Sequence, residues 1–286
     1  MELTAIITAL VVAVGAVVVL TGLVIQAWVA RHSGLPTAVT GLAEGLAARI
    51  GRFAGSHCEH WNGWLGPETS TLILRLVLGL AAVALVAIGV GALVDNVTDG
   101  DGVASLDHPI ARYVSVHRTA ALTSVMKAVS DVGGPAGMAM VGLGIGLLLG
   151  LVWRSWAPLI VMTVTATGVA GLTVVFKAVL GRARPPLAQA VAAADGFGFP
   201  SGHAAAAAAV CGVAAWLCGL RMRSKRGRIA VWAVAAMLAA LVGISRIYLG
   251  VHWTSDVLGG WAVGVLWMAV VVSGWTALGR ISGPRS

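Results

Sequence analysis

Charge is what this chain has least of. Asp, Glu, Lys and Arg make up only 10% of its 286 residues, where a soluble domain carries about 25%. So few charges cannot cover a water-facing surface, and 58% of the residues are hydrophobic. The chain is therefore read as an integral membrane protein. Cysteine is scarce too. Cys58 stands alone, and Cys211 and Cys218 lie seven apart on one apolar stretch, which argues against a disulfide framework. The run His57-Cys58-Glu59-His60 has ligand-like residue types but no second half, so no metal site is assigned to it. There is no basic helix or RNA-binding motif, so nucleic acid is not an expected partner. A signal peptide is also not expected, because the first apolar stretch lacks a basic start and a small-residue cleavage site.

What the chain does have is apolar length. Seven stretches stand out: Thr4–Ala30, Leu72–Val94, Pro135–Val152, Trp156–Phe176, Ala204–Gly219, Ile229–Ile244 and Val257–Leu278. Without alternating polarity they read as helices, since only helices and closed barrels satisfy the backbone in lipid. Several are close to the minimum of about 17 residues for a span, so their helices are expected to run on into the flanking polar residues. The expected class is all-α integral membrane: a six-helix core over 71–286, preceded over 1–70 by one extra helix and a cytoplasmic linker. Residues 95–134 form a longer loop in which Ile110, Tyr113, Val114, Leu122, Val125, Met126 and Val129 recur at helical spacing. That pattern suggests amphipathic segments on the membrane surface, with ordinary loop packing as the alternative. Gly142, Gly146 and Gly150, four apart, allow close helix approach, expected within the bundle.

Following the chain from span to span sorts the cations onto two sides. Arg31, Arg49, Arg52, Arg75, Arg154, Arg221, Arg223, Lys225, Arg226, Arg228, Arg280 and Arg285 fall on one side. Arg112, Arg118, Lys127, Lys177, Arg182, Arg184 and Arg246 fall on the other. The richer side is assigned to the cytoplasm. Seven crossings then put the N-terminus outside and the C-terminus inside.

Three polar runs sit on the outer side. The first is Lys177-Ala-Val-Leu-Gly-Arg-Ala-Arg184-Pro185. Lys177 and Arg184 are seven apart, about two helical turns, so on a helix they face the same way. Arg182 sits on another face and is a weaker candidate. The prolines after Arg184 are expected to stop the helix. The second run is Pro200-Ser201-Gly202-His203, placed before a strong helix former, Ala204–Ala209. Ser201 suits an N-cap, Gly202 permits close backbone approach, and a helix N-terminus is a ready anion site. The third is Ser245-Arg246-Ile-Tyr-Leu-Gly-Val-His252-Trp-Thr-Ser-Asp256. His252 and Asp256, four apart, share one helix face, and the carboxylate can fix the tautomer that leaves the other ring nitrogen free to attack. Each run alone has a plainer reading: snorkelling cations, a capping turn, a buried His–Asp bond joining helices. Their shared side of the membrane points instead to one phosphate pocket with a nucleophile and a proton donor. Only Asp195 and Asp256 are expected near it as carboxylates, which argues against a two-metal site.

These runs resemble the signature of the type 2 phosphatidic acid phosphatase superfamily, the lipid phosphate phosphatases. That signature is Lys, six residues, Arg-Pro; Pro-Ser-Gly-His; then Ser-Arg, five residues, His, three residues, Asp. Each fixed position is met, in order, within roughly 71–278. The resemblance implies a phosphohistidine on His252, oriented by Asp256, with His203 protonating the leaving oxygen. It implies that Lys177, Arg184, Arg246, Ser201 and the Gly202 amide hold the phosphate oxygens, without a cofactor. The expected substrate is a lipid phosphate in the bilayer. Outer-face placement favours a polyprenyl diphosphate, with phosphatidate or phosphatidylglycerol phosphate next. A transporter is a weaker alternative, because the spans hold almost no ionisable residues away from their outer ends. Vanadium haloperoxidases have a similar pocket but are typically soluble. Residues 1–70 have no counterpart in the six-helix core.

Overall fold

The computed structural model describes residues 101–186 and 190–281, with side chains to 276. The chain divides into two compact units, residues 1–91 with 273–286, and residues 92–272. The described helices belong to the second unit, apart from the last residues of the final helix. The spans expected over 4–30 and 72–94, the linker, and the His57–His60 run lie outside the described residues.

All regular structure among the described residues is helical. A 3-10 turn (Gly102–Leu106) leads into α1 (Asp107–Val116) and α2 (Ala120–Val132). Five longer helices follow: α3 (Pro135–Trp153), α4 (Ala157–Leu180), α5 (Gly202–Leu220), α6 (Lys225–Tyr248) and α7 (Thr254–Ile281). All five are long and apolar enough to cross a membrane. They match the last five expected spans and, as anticipated, extend into the polar runs. Composition explains the helices. Spans that are apolar on every side need no amphipathic register, and every backbone group is paired within its own segment.

Helix α5 is the centre of the bundle. In its spanning window 61% of the residues are buried, against 17% in α3 and in α6. Small residues make this position possible. Ala204 to Ala209 are all buried on α5, and α7 offers Gly260 and Gly264 to them. A Cβ at Gly264 would lie 2.5 Å from the Ala205 carbonyl oxygen, and one at Gly260 2.5 Å from that of Ser201. Gly142 and Gly146 of α3 do the same towards Met162 and Leu159 of α4. The glycine spacing thus serves packing inside the bundle. Met140, Leu148 and Leu151 on α3 and Ile229 and Met237 on α6 remain exposed, the surface that a bilayer solvates.

The amphipathic segments expected in the 95–134 loop are α1 and α2. Val114 of α1 and Met126 of α2 pack against buried Tyr248, Leu249 and Val251 at the end of α6. Thr119, the N-cap of α2, accepts a 3.3 Å bond from the Leu122 amide. Its own amide donates to the Tyr248 hydroxyl at 3.1 Å. These contacts hold both short helices over the end of the bundle where the polar runs lie.

Candidate active site

The site is built where α4, α5, α6 and α7 begin or end on the same side. A cavity of about 450 Å³ opens there, and Lys177, Arg184, Gly202, His203, Arg246 and His252 line it. Its deeper wall is apolar, with Ala166, Val169 and Ala170 of α4 and Ala206 and Val210 of α5.

The first run is placed differently from the helical expectation. Helix α4 stops at Leu180, four residues before Arg184, because Gly181 takes the left-handed conformation (φ 57°) and caps the helix. A glycine at this position ends helices readily, ahead of the prolines. Lys177 is therefore on the last turn and Arg184 on the extended segment beyond, yet both reach the cavity. Lys177 donates to the Phe197 carbonyl. The Arg184 guanidinium is fixed by three carbonyls, Gly196 at 2.9 Å, Val251 at 2.7 Å and Asp195 at 2.9 Å. Burial lowers its pKa, against the opposing pull of Asp256 and Asp195.

The second run takes the expected helix start. Gly202 is the first residue of α5 and Ser201 its N-cap, but the Ser201 side chain makes no capping bond. Its Oγ is buried without a partner, and Ser201 is not among the residues that line the cavity. His203 follows on the first turn and lines the cavity.

The third run is split by the helix boundary. Arg246 is on the last turn of α6, 6% exposed. It bonds the Ser130 hydroxyl of α2, and its Nε has no partner. His252 lies before α7, which starts only at Thr254. The expected contact forms all the same: His252 Nδ1 is 3.2 Å from Asp256 Oδ2, an oxygen that also accepts from the Trp253 amide at 3.0 Å. His252 Nε2 lies 3.0 Å from Arg184 Nη1, at the cavity. Burial first, then the Arg184 and Arg246 charges, push the His252 pKa down to about 4, although Asp256 pulls the other way. At neutral pH the imidazole is therefore uncharged, with one nitrogen held by a carboxylate and the other facing the cavity.

Two further residues belong to this end, one ranked low from the sequence and one not picked out there. Arg182 does not line the cavity, but its Nη1 is 2.5 Å from Asp256 Oδ1 and its Nη2 is 2.9 Å from Asp107 Oδ2. Asp107, the first residue of α1, also accepts from the Ser255 amide at 2.9 Å and hydroxyl at 2.5 Å. The expectation that only Asp195 and Asp256 stand near the motifs is thus corrected. Asp107 is brought in by α1, and Asp131 of α2 is close enough to act on the charge of Arg246. Among the described residues no three His, Cys, Asp or Glu side chains converge as a metal cage.

Known proteins resemble this chain in sequence and in fold. The model of the PAP2 superfamily matches residues 155–280. A curated relative, phosphatidylglycerophosphatase B of Bacillus subtilis (strain 168), is 34% identical over 168 residues, covering 58% of this chain and 81% of the relative. The chain belongs to the PAP2 superfamily. A solved relative, described as the first transmembrane PAP2 type phosphatidylglycerolphosphate phosphatase from Bacillus subtilis, superposes with a TM-score of 0.61 at 29% identity. That match covers 66% of this chain and 94% of the solved one. The protein is accordingly a multi-pass membrane phosphatase of the PAP2 type, a hydrolase of phosphoric esters.

Proposed function

We propose that this PAP2 phosphatase removes the terminal phosphate from a lipid headgroup through a phosphohistidine on His252. The observation that carries the reading is the convergence at one cavity of a neutral, carboxylate-held imidazole with Lys177, Arg184, Arg246 and a second imidazole, His203. The phosphate oxygens would be held by those three cations, by the partnerless Ser201 Oγ and by the Gly202 amide at the start of α5. Phosphoryl transfer asks mainly for positioning and for charge opposite the equatorial oxygens, and this set supplies both. His252 Nε2 attacks phosphorus, and the bond to the leaving oxygen breaks as His203, protonated beside the bound phosphate dianion, gives that oxygen its proton. Water then attacks the phosphohistidine, His203 takes the proton back, and inorganic phosphate leaves. Asp256 holds the His252 ring throughout. No metal enters these steps, so activity survives chelation and is inhibited by vanadate. Full loss with EDTA, restored by magnesium, would refute the scheme.

The apolar inner wall lets a headgroup enter while its hydrocarbon stays in apolar surroundings. The basic turns at the opposite end of the bundle, Arg154 and Arg221–Arg228, support an extracytoplasmic site by the positive-inside rule. That placement favours a polyprenyl diphosphate, giving polyprenyl phosphate and inorganic phosphate. A second reading, phosphatidylglycerol phosphate, is favoured by the activity named for the 34% identical relative. Phosphate release by the purified protein from polyprenyl diphosphate, phosphatidylglycerol phosphate and phosphatidate separates them. The highest kcat/KM is expected on polyprenyl diphosphate. A higher value on phosphatidylglycerol phosphate transfers the assignment, and no release from any lipid rejects the function.

A further inference from the structure

We infer that Arg182 and Asp107, both outside the phosphate cavity, are positioning residues for the nucleophile, acting through Asp256. Three observations carry this. First, Asp256 is fully buried, and its two oxygens are divided between tasks. Oδ2 faces His252 and the Trp253 amide, while Oδ1 faces Arg182. Only Arg182 bonds Oδ1 among the described residues, so Arg182 fixes which oxygen is turned to the imidazole. Second, Arg182 itself is forked between two carboxylates, with one Nη on Asp256 and the other on Asp107. A guanidinium can meet both at once, whereas an ammonium is a point charge. Third, Asp107 is 2% exposed, and both its oxygens are used, by Arg182 and by the amide and hydroxyl of Ser255. Ser255 directly precedes Asp256, so Asp107 pins the start of α7 as well as the far side of Arg182. The result is a chain of side chains, Asp107–Arg182–Asp256–His252, buried except for the partly exposed Arg182 and running from the surface helix α1 to the imidazole of His252.

Charge alternates along this chain, and that has a consequence. Arg182 sets a positive charge against the Asp256 oxygen that does not face His252. Asp107 offsets part of the Arg182 charge, so the field that His252 feels is set by the pair and not by the cation alone. Other charges also act on His252, Arg184 from the loop after α4 and Arg246 from α6, and Lys177 of α4 and His203 of α5 line the same cavity. His108 of α1 meets the neighbouring Trp253 ring edge-on, with centroids 4.7 Å apart. None of these is altered by substituting Arg182 or Asp107, so the two substitutions read out the chain itself.

The inference rests on His252 as nucleophile, and its test is kept separate from that assignment. In full-length protein, Arg182→Gln is expected to lower kcat 10- to 100-fold with KM within about threefold. It also removes a cation beside Asp256, so the acid limb of the kcat–pH profile moves to higher pH. Asp107→Asn removes an anion instead, so its limb moves to lower pH, with a smaller fall in kcat. A loss of packing alone would not move the two limbs in opposite directions. Wild-type kcat with an unmoved limb in Arg182→Gln, or limbs that move the same way in both variants, overturns the inference. If Arg182→Gln does not yield folded protein, Asp107→Asn decides it, and a limb that stays or rises is fatal. Both variants should still trap phosphate on His252. If they do not, and wild type does not either, it is the nucleophile assignment that has failed.

Discussion

The two ends of the helical bundle use the same residue types for different purposes. On the site side, Arg182, Arg184 and Arg246 are each tied to a carboxylate, a carbonyl or a hydroxyl of another segment. Asp107, Asp131, Asp195 and Asp256 all gather there. On the other side, Arg154, Arg221, Arg223, Lys225, Arg226 and Arg228 are exposed, and no carboxylate among the described residues accompanies them. Arg221 lies over the Trp153 ring instead, 4.9 Å from its centroid. The difference shows that a cation in a membrane protein is informative by what holds it. Solvated cations at a turn set orientation, and cations clamped by other segments are pre-organised for a ligand.

Breaking the clamped end should have the largest effects. His252→Ala removes the attacking nitrogen and is expected to lower kcat by about 10⁴-fold or more, as loss of a nucleophile does elsewhere. Phosphate release near the wild-type rate would remove the residue from its role. Arg184→Ala takes away a cation fixed by three carbonyls and should cost on the order of 10²- to 10³-fold in kcat/KM. Lys177→Ala, with one carbonyl contact, should cost about tenfold less than that. Equal and negligible losses in steady-state kinetics would return both residues to snorkelling.

Acid is the next probe of the same end. The His252 pKa lies below that of a free imidazole, at about 4. The nucleophile therefore stays neutral, and active, as pH falls from 7 towards 5. It is lost as pH passes below about 4, by about tenfold per further pH unit. A kcat–pH profile with its acid limb near 6.5 would show that burial does not protect the ring. The smallest effect is expected at the opposite end. Replacing Arg223 and Arg226 by Gln should leave kcat and KM within about twofold, because those side chains are exposed and far along the helices from the cavity. A tenfold loss on detergent-purified protein would erase the contrast between the ends.

The helices could be read well from the sequence because membrane spans are signalled by length and apolarity alone. Each of the last five spans was legible to within a few residues at either end. Lys177, Arg184, Gly202, His203, Arg246 and His252, which line the cavity, were legible because each sits in a short local run of distinctive chemistry. Two things were hidden. The early end of α4 was signalled by Gly181, but the prolines after Arg184 were the stronger-looking stop. Asp107 was hidden because its partners lie 75 and 148 residues along the chain, and no periodicity links them. An acidic residue at the first turn of an amphipathic surface helix, together with an arginine left over in the first run, was the available signal.

The most direct test is to identify the phosphorylated residue. Purified protein should be quenched during turnover of a labelled lipid phosphate and digested at alkaline pH, and its peptides mapped by mass spectrometry. An acid-labile phosphoryl group on the peptide carrying His252, chased off by water at the rate of turnover, is the expected result. Phosphate on a different side chain, or steady turnover in which His252 never carries it, would contradict the account.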